Sequence, residues 1–209
     1  MKSFLLTLTC CLVIGFGSSC TSDESLEKKP VSASLVEEAE AFLNGDIVLN
    51  TKATLNGVDK TRLEDGCPTR FTFTWDEQDS LTIQLTNFTV GTMPLTINFR
   101  CKVGTMQLNS WEQDEYTGKG WFKFYGTDGQ CWGEDIEDGT TSVASGSSVK
   151  GYFNAYTHEI NFIVDYNMMN VRSECFLQTV DKSRIDNFDE EFAQYEADLL
   201  AYKKKNGEA

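Results

Sequence analysis

From Phe71 to Val103 apolar and polar residues alternate nearly one for one, and this period of two constrains the fold more than any other feature of the 209 residues. Phe71, Phe73 and Trp75 alternate with Thr72 and Thr74, and Leu81, Ile83 and Leu85 alternate with Thr82 and Gln84. Leu95, Ile97, Phe99, Cys101 and Val103 form the longest clean run. A strand sends successive side chains to opposite faces, so each run has one buried and one solvated face. Phe88 and Val90 continue on even positions, and that slip of one residue predicts a β-bulge near Thr86 to Phe88. Ile160, Phe162, Val164 and Tyr166 form another run, and strands near 46–54, 119–126, 148–156 and 170–178 complete a set of eight. Residues 106–111 either lengthen the strand that ends near Val103 or form a short extra one.

The connections are short. Asp76 to Asp79, Gly91-Thr92 and the corner Tyr156 to Glu159 are tight turns that favour antiparallel hairpins. No helix-length pattern separates the strands, which excludes parallel βαβ units. The reading is mainly β, an eight-stranded antiparallel up-and-down barrel, because closure removes edge strands. A two-sheet β-sandwich is the alternative, since both bury one face of each strand. One long loop, roughly Gly126 to Gly146, is rich in Gly, Ser, Thr and acid.

A helix is expected on each side of the strands. Ser34 and Glu37 form a Ser-x-x-Glu capping box, followed by Leu35, Ala39, Phe42 and Leu43 and a stop at Gly45. Near the other terminus Ile185, Phe188, Phe192, Tyr195, Leu199 and Tyr202 recur at spacings of three and four, giving one apolar stripe. Ser183 can cap that helix, and Lys203 to Lys205 complement the dipole at its end. Packing on its own domain is the default for this helix; plugging a barrel mouth and binding a partner are the alternatives.

The first twenty residues set the compartment. Lys2, the apolar run Phe4 to Phe16, and Gly17-Ser18-Ser19 before Cys20 form a signal peptide with small residues at the cleavage site. The arrangement resembles a bacterial lipobox, which implies a lipidated and acylated Cys20 anchored in an outer membrane. Thr21-Ser22-Asp23-Glu24-Ser25 resembles the export signal that sends lipoproteins of Bacteroides-type bacteria to the outer face of that membrane. The expected organisation is signal peptide 1–19, lipidated cysteine and flexible tether 20–33, barrel with its N-terminal helix 34–180, and C-terminal helix 181–209. Loss of residues 1–19 removes one positive charge, Lys2, and takes the formal charge from −14 to −15. Such a balance repels phosphate backbones and excludes nucleic acid as a partner.

Four cysteines remain beyond the anchor, and an exported chain permits two disulfides in any of three pairings. Cys67–Cys175 with Cys101–Cys131 is the expected pairing, and reduced buried thiols are the other reading. None of the spacings resembles C-x-x-C, so zinc and thiol redox chemistry are disfavoured.

The lipobox, acidic tether, eight strands and flanking helices together resemble the calycin-like or lipocalin-like outer-surface lipoproteins of Bacteroides-type bacteria, mostly of unknown function. The lipocalin Gly-x-Trp is absent, since strand one reads Gly45-Asp46-Ile47.

Chemistry-bearing residues are sparse. His158 is the single histidine, at a hairpin corner, and no Gly-x-Ser-x-Gly, P-loop or His-Glu-x-x-His occurs. No catalytic residue and no cofactor is implied. Glu134, Asp135, Glu137 and Asp138 are hard oxygen ligands that suit calcium, though without EF-hand spacing. Trp111, Trp121, Tyr125 and Trp132 lie near strand ends or in the long loop; one reading has them line one barrel rim, where flat rings take sugars or apolar ligands, and the other has them fill a small barrel. The first expectation is therefore a non-catalytic surface module that binds a glycan, lipid or peptide in an open barrel mouth. The second is a structural or interaction subunit of an envelope complex, with a filled barrel. The third is a carboxylate hydrolase with two converging acids.

Overall fold

The computed structural model describes residues 29–76, 80–133 and 144–208. Its strands are β1 (Gly45–Leu55), β2 (Val58–Asp59), β3 (Cys67–Trp75), β4 (Ser80–Phe88), β5 (Ile97–Met106), β6 (Trp121–Trp132), β7 (Ala144–Asn154), β8 (Glu159–Asp165) and β9 (Val171–Thr179). From β3 to β9 each strand pairs antiparallel with the next, and β1 pairs with both β3 and β9. Eight strands thus close into an up-and-down barrel, with β2 a two-residue ribbon on β1. A sandwich would leave edges; here β1 joins the first and last strands of the series.

The alternating runs fill the interior. Phe71, Phe73, Leu81, Ile83, Phe99, Phe124 and Tyr166 are fully buried. Phe162 sits among three rings, 5.1 Å from Phe71, 5.9 Å from Phe124 and 6.4 Å from Phe73. Tyr166 meets Phe99 edge-on at 5.3 Å, and its hydroxyl shares a 2.8 Å hydrogen bond with that of Ser173. Gly151 makes room for this packing, because a Cβ there would lie 2.3 Å from both the Phe124 ring and Phe162 Cβ. Buried aromatic rings, rather than a cup, occupy the space between the strands.

The β4–β5 register shifts between Leu85 and Phe88, as the phase slip implies, and Asn87 takes a left-handed φ of 53° there. Two further bulges change the expected outline. Shifts between Arg100 and Gly104, and between Gly126 and Gly129, carry β6 on to Trp132, while β7 begins at Ala144. The expected loop from Gly126 to Gly146 is thereby corrected at both ends, since residues 126–132 and 144–146 are strand. Gly126 is a strand residue at a close backbone approach, where a Cβ would lie 2.3 Å from the Lys102 carbonyl oxygen.

The helices also depart in detail. α1 (Ala33–Phe42) follows an N-cap at Ser32 that makes no side-chain cap bond, so Ser34 lies inside the first turn and the expected capping box does not form. Val31, expected in the tether, packs against the core. α1 sits at the barrel end where β3 finishes: Trp75 donates its indole N–H to the Leu43 carbonyl at 2.6 Å, and Phe42 stacks on His158 at 3.5 Å. Residues 106–111 make no extra strand; Ser110–Glu115 form a short helix, α2.

Near the other terminus a 3-10 turn (Lys182–Asn187) precedes α3 (Phe188–Asn206). Asp181, rather than Ser183, is the cap, accepting from the Ser183 N–H at 2.9 Å and hydroxyl at 2.6 Å. α3 packs on its own barrel. Arg70 on the outer face of β3 lies over the Phe188 ring, Tyr195 and Leu199 are buried, and Arg184 holds Glu191, Asn50 and the Val48 carbonyl.

All four cysteines are buried thiols, and the expected disulfides are not formed. Thr51 pairs with Cys67 on one side and Cys175 on the other, so two strand spacings, about 10 Å, separate them. A disulfide needs Cα atoms within about 7 Å. Cys131 pairs with Phe99 rather than Cys101, and its Sγ approaches Met168 Sδ at 3.8 Å. Burial pushes Cys67 up to about 12 and Cys101 and Cys131 up to about 11, and raises Cys175 as well. None is a nucleophilic thiolate at neutral pH.

Candidate functional site

Outside the barrel, α2 clamps a polar and aromatic cluster onto β6, β7 and β8. Asn109 starts the helix: its side-chain oxygen accepts from the Glu112 N–H at 2.9 Å, and the Glu112 carboxylate accepts from the Asn109 N–H at 3.0 Å. This capping box turns Glu112 towards the strands. Lys123 donates to its two oxygens at 2.8 and 2.9 Å, the Tyr152 hydroxyl donates at 2.9 Å, and Lys150 lies 3.6 Å away. Lys123 and Tyr152 are register partners across β6–β7, and Tyr152 pairs with Asn161 on β8, so three strands present one row to the helix. Tyr116 stacks on Tyr152 at 4.0 Å, contacts Trp121 at 4.9 Å and accepts from Asn161 Nδ2 at 2.6 Å.

The electrostatics describe a clasp. Burial alone would raise the Glu112 carboxyl, but the Lys123, Asn109 and Tyr152 hydrogen bonds outweigh it and hold the group below its ordinary 4.5. Burial and the Glu112 carboxylate raise Tyr152; burial raises Tyr116, with the Glu115 and Glu112 charges adding. An ionised acid whose oxygens already accept several donors is a poor proton acceptor. Replacing Glu112 with Ala leaves the largely buried Lys123 ammonium without its partner and should cost about 3 kcal/mol locally, read as lost amide protection over residues 108–116. Since folding lowers the Glu112 value, its contribution is complete above the ordinary carboxylate range and disappears as pH falls through the folded value. The same amides should lose protection below about pH 4, while barrel amides keep theirs.

A family model described as a domain of unknown function, DUF4903, matches residues 20–207. The chain belongs to the DUF4903 family. The match begins at Cys20 and takes in the barrel and all three helices. No curated protein and no solved structure matches this DUF4903 chain significantly.

The aromatic residues read as one rim are dispersed in this DUF4903 barrel. Trp111 stands on α2 with 79% of its surface exposed, and Trp121 is half-buried against Tyr116. Tyr125 points outward from β6 beside Lys150, and Trp132 is buried at the other end of β6. Eleven residues of strand put Trp121 and Trp132 about 36 Å apart, so they line no common rim. Cys20 and the calcium candidates Glu134, Asp135, Glu137 and Asp138 lie outside the described residues. Among the described residues no three His, Cys, Asp or Glu are placed to hold a metal ion. A cleft of about 370 Å³ between Asn56, Asp165, Asn170 and Arg172 holds one acid, Asp165, already 3.4 Å from Arg172. A second cleft, of about 260 Å³ beside α3, also holds one, Glu196. The sequence reading missed Glu112, Tyr116, Lys123, Tyr152 and Asn161; the signal available was Asn109-Ser110-Trp111-Glu112, a capping box.

Proposed function

We propose that this DUF4903 protein is a non-catalytic, calycin-like lipoprotein of the cell envelope, anchored through Cys20, whose barrel is a rigid carrier of its outer surface. The observation that carries this reading is the filled interior: Phe71, Phe73, Phe99, Phe124, Phe162 and Tyr166 occupy the space an open cup would need. That favours an interaction subunit over capture of a glycan, lipid or peptide in the barrel mouth. The anchor is supported by Gly17-Ser18-Ser19 before Cys20 and by a family match that starts at that cysteine. The acidic segment Thr21 to Ser25 supports display on the outer face of an outer membrane.

Expression of the full chain in a Gram-negative host tests the anchor. The protein should sediment with membranes and carry the added mass of a diacylglyceryl group and an acyl chain, whereas Cys20→Ala should remain soluble or uncleaved without that mass. An unmodified, freely soluble wild-type protein would sink the reading.

A further inference from the structure

We propose that Trp111, with the α2 shelf that holds it, is a membrane-contact surface that sits in the headgroup region of a zwitterionic bilayer next to the lipid anchor. The inference rests on the anchor reading of Cys20 and adds which end of the barrel meets the lipid. Gln107 fixes the incoming chain, donating its backbone N–H to the Lys29 carbonyl at 3.0 Å and its side-chain amide to the Pro30 carbonyl at 2.9 Å. Lys29 is nine residue steps beyond Cys20. Fully extended they span at most about 32 Å, so the end of the barrel that carries Gln107 cannot move farther than that from the anchored lipid. α2 begins three residues after Gln107, so Trp111 belongs to the same end.

Among the described residues Trp111 is the most exposed of the large apolar side chains, at 79%. Its exposure is built rather than incidental. The Asn109–Glu112 capping box and the Lys123 and Tyr152 bonds fix α2 against the barrel, so the residue beside Glu112 cannot fold back onto the core. Tyr156, 58% exposed, stands at the same end in the hairpin between β7 and β8 and packs near Gly120. Exposed tryptophan and tyrosine together on one end of a protein are what a headgroup layer accepts, since each has an apolar ring and a polar edge. Charge selects the lipid. Asp114 and Glu115 are exposed on α2, Lys29 and Lys119 are exposed as well, and the chain beyond residue 19 is net acidic. An anionic surface would repel the net-acidic chain as a whole, so the partner is a neutral, zwitterionic bilayer.

The test uses the acylated full chain reconstituted into phosphatidylcholine vesicles that carry brominated acyl chains near the headgroups, with tryptophan emission as the readout. The chain has four tryptophans, and quenching of about a quarter of the emission is expected, disappearing in Trp111→Phe. Substituting phosphatidylglycerol for half of the lipid should reduce the quenching at least twofold. Vesicle-bound protein with no quenching, or with equal quenching in wild type and Trp111→Phe, would overturn the membrane-contact surface while leaving the anchor intact. Protein that lacks the acyl mass and does not float with the vesicles would remove the anchor reading, and this inference with it.

Discussion

Phe162→Ala should lower the stability of the barrel by about 4 kcal/mol and its Tm by roughly 8–16 °C. Phe162 is at the centre of the interior, edge-on to Phe71 and Phe73 and 5.9 Å from Phe124. Its neighbour across the β7–β8 pair is Gly151, which has no side chain to move into a vacated space. Truncation therefore removes the transfer free energy of a buried ring and leaves a cavity the strands cannot close, the two terms that make such substitutions expensive. Against a typical total of about 5–15 kcal/mol, a loss of this size is a large fraction. Phe162→Leu keeps most of the volume and should recover roughly half of it. The experiment also tests the proposed function, because an apolar hole in a dry core takes small apolar ligands. Wild type should leave benzene unbound, and Phe162→Ala should bind it in the barrel. Benzene binding inside the wild-type barrel would show open space there and return the protein to the class of ligand carriers.

The barrel is legible in the sequence because its forces are local and repetitive. Phe71 to Val103 states which side chains face inward, and the phase slip at Phe88 marks the bulge. The stripe from Phe188 to Leu199 states that α3 packs on something. What the sequence hides depends on register. Composition lets the four cysteines pair in any of three ways, and only closure through β1 shows that Thr51 stands between Cys67 and Cys175. Gly126 and Gly129 resemble loop residues, since a glycine at a bulge and one in a turn have the same composition. α2 is too short to show a helical period, and its capping box is hidden at the edge of a strand pattern.

The candidate site was legible as material but not as an arrangement. Trp111, Trp121, Tyr125 and Trp132 are recognisable as rings outside the alternating core, yet three of them belong to one strand whose two ends are far apart. Lys123, Tyr152 and Asn161 carry no sequence signal of their own; they become a row through pairing of β6, β7 and β8, and Glu112 gives that row its purpose.

Gly91→Ala should release α3 from the barrel and cost at least about 3 kcal/mol. Gly91 has a φ of +59°, and a Cβ built there would lie 1.7 Å from the Lys60 carbonyl oxygen and 2.8 Å from that of Thr61. Left-handed backbone alone costs a non-glycine residue about 1–2 kcal/mol. The steric term is larger, because the obstacle is main chain and is pinned: the Thr92 N–H donates to that same Lys60 oxygen at 2.9 Å. The loop has to shift, and α3 depends on the loop. The Gly91 N–H donates to the Tyr195 hydroxyl at 2.9 Å, and Lys203 reaches the Gly91 carbonyl at 3.4 Å. With Tyr195 and Leu199 the buried side chains of α3, losing the register at Gly91 undoes the docking of its second half. Amide hydrogen exchange over residues 192–206 should rise towards that of free helix in Gly91→Ala. Two variants separate the causes. Tyr195→Phe removes the hydroxyl that accepts from the Gly91 N–H and meets Cys67, and should cost about 1 kcal/mol. Gly118→Ala places an alanine at a φ of +97° with nothing within 4 Å, so it carries backbone strain without the collision. If Gly91→Ala were no more costly than Gly118→Ala, the close approach of the 91 loop to Lys60 would not be what seats the helix.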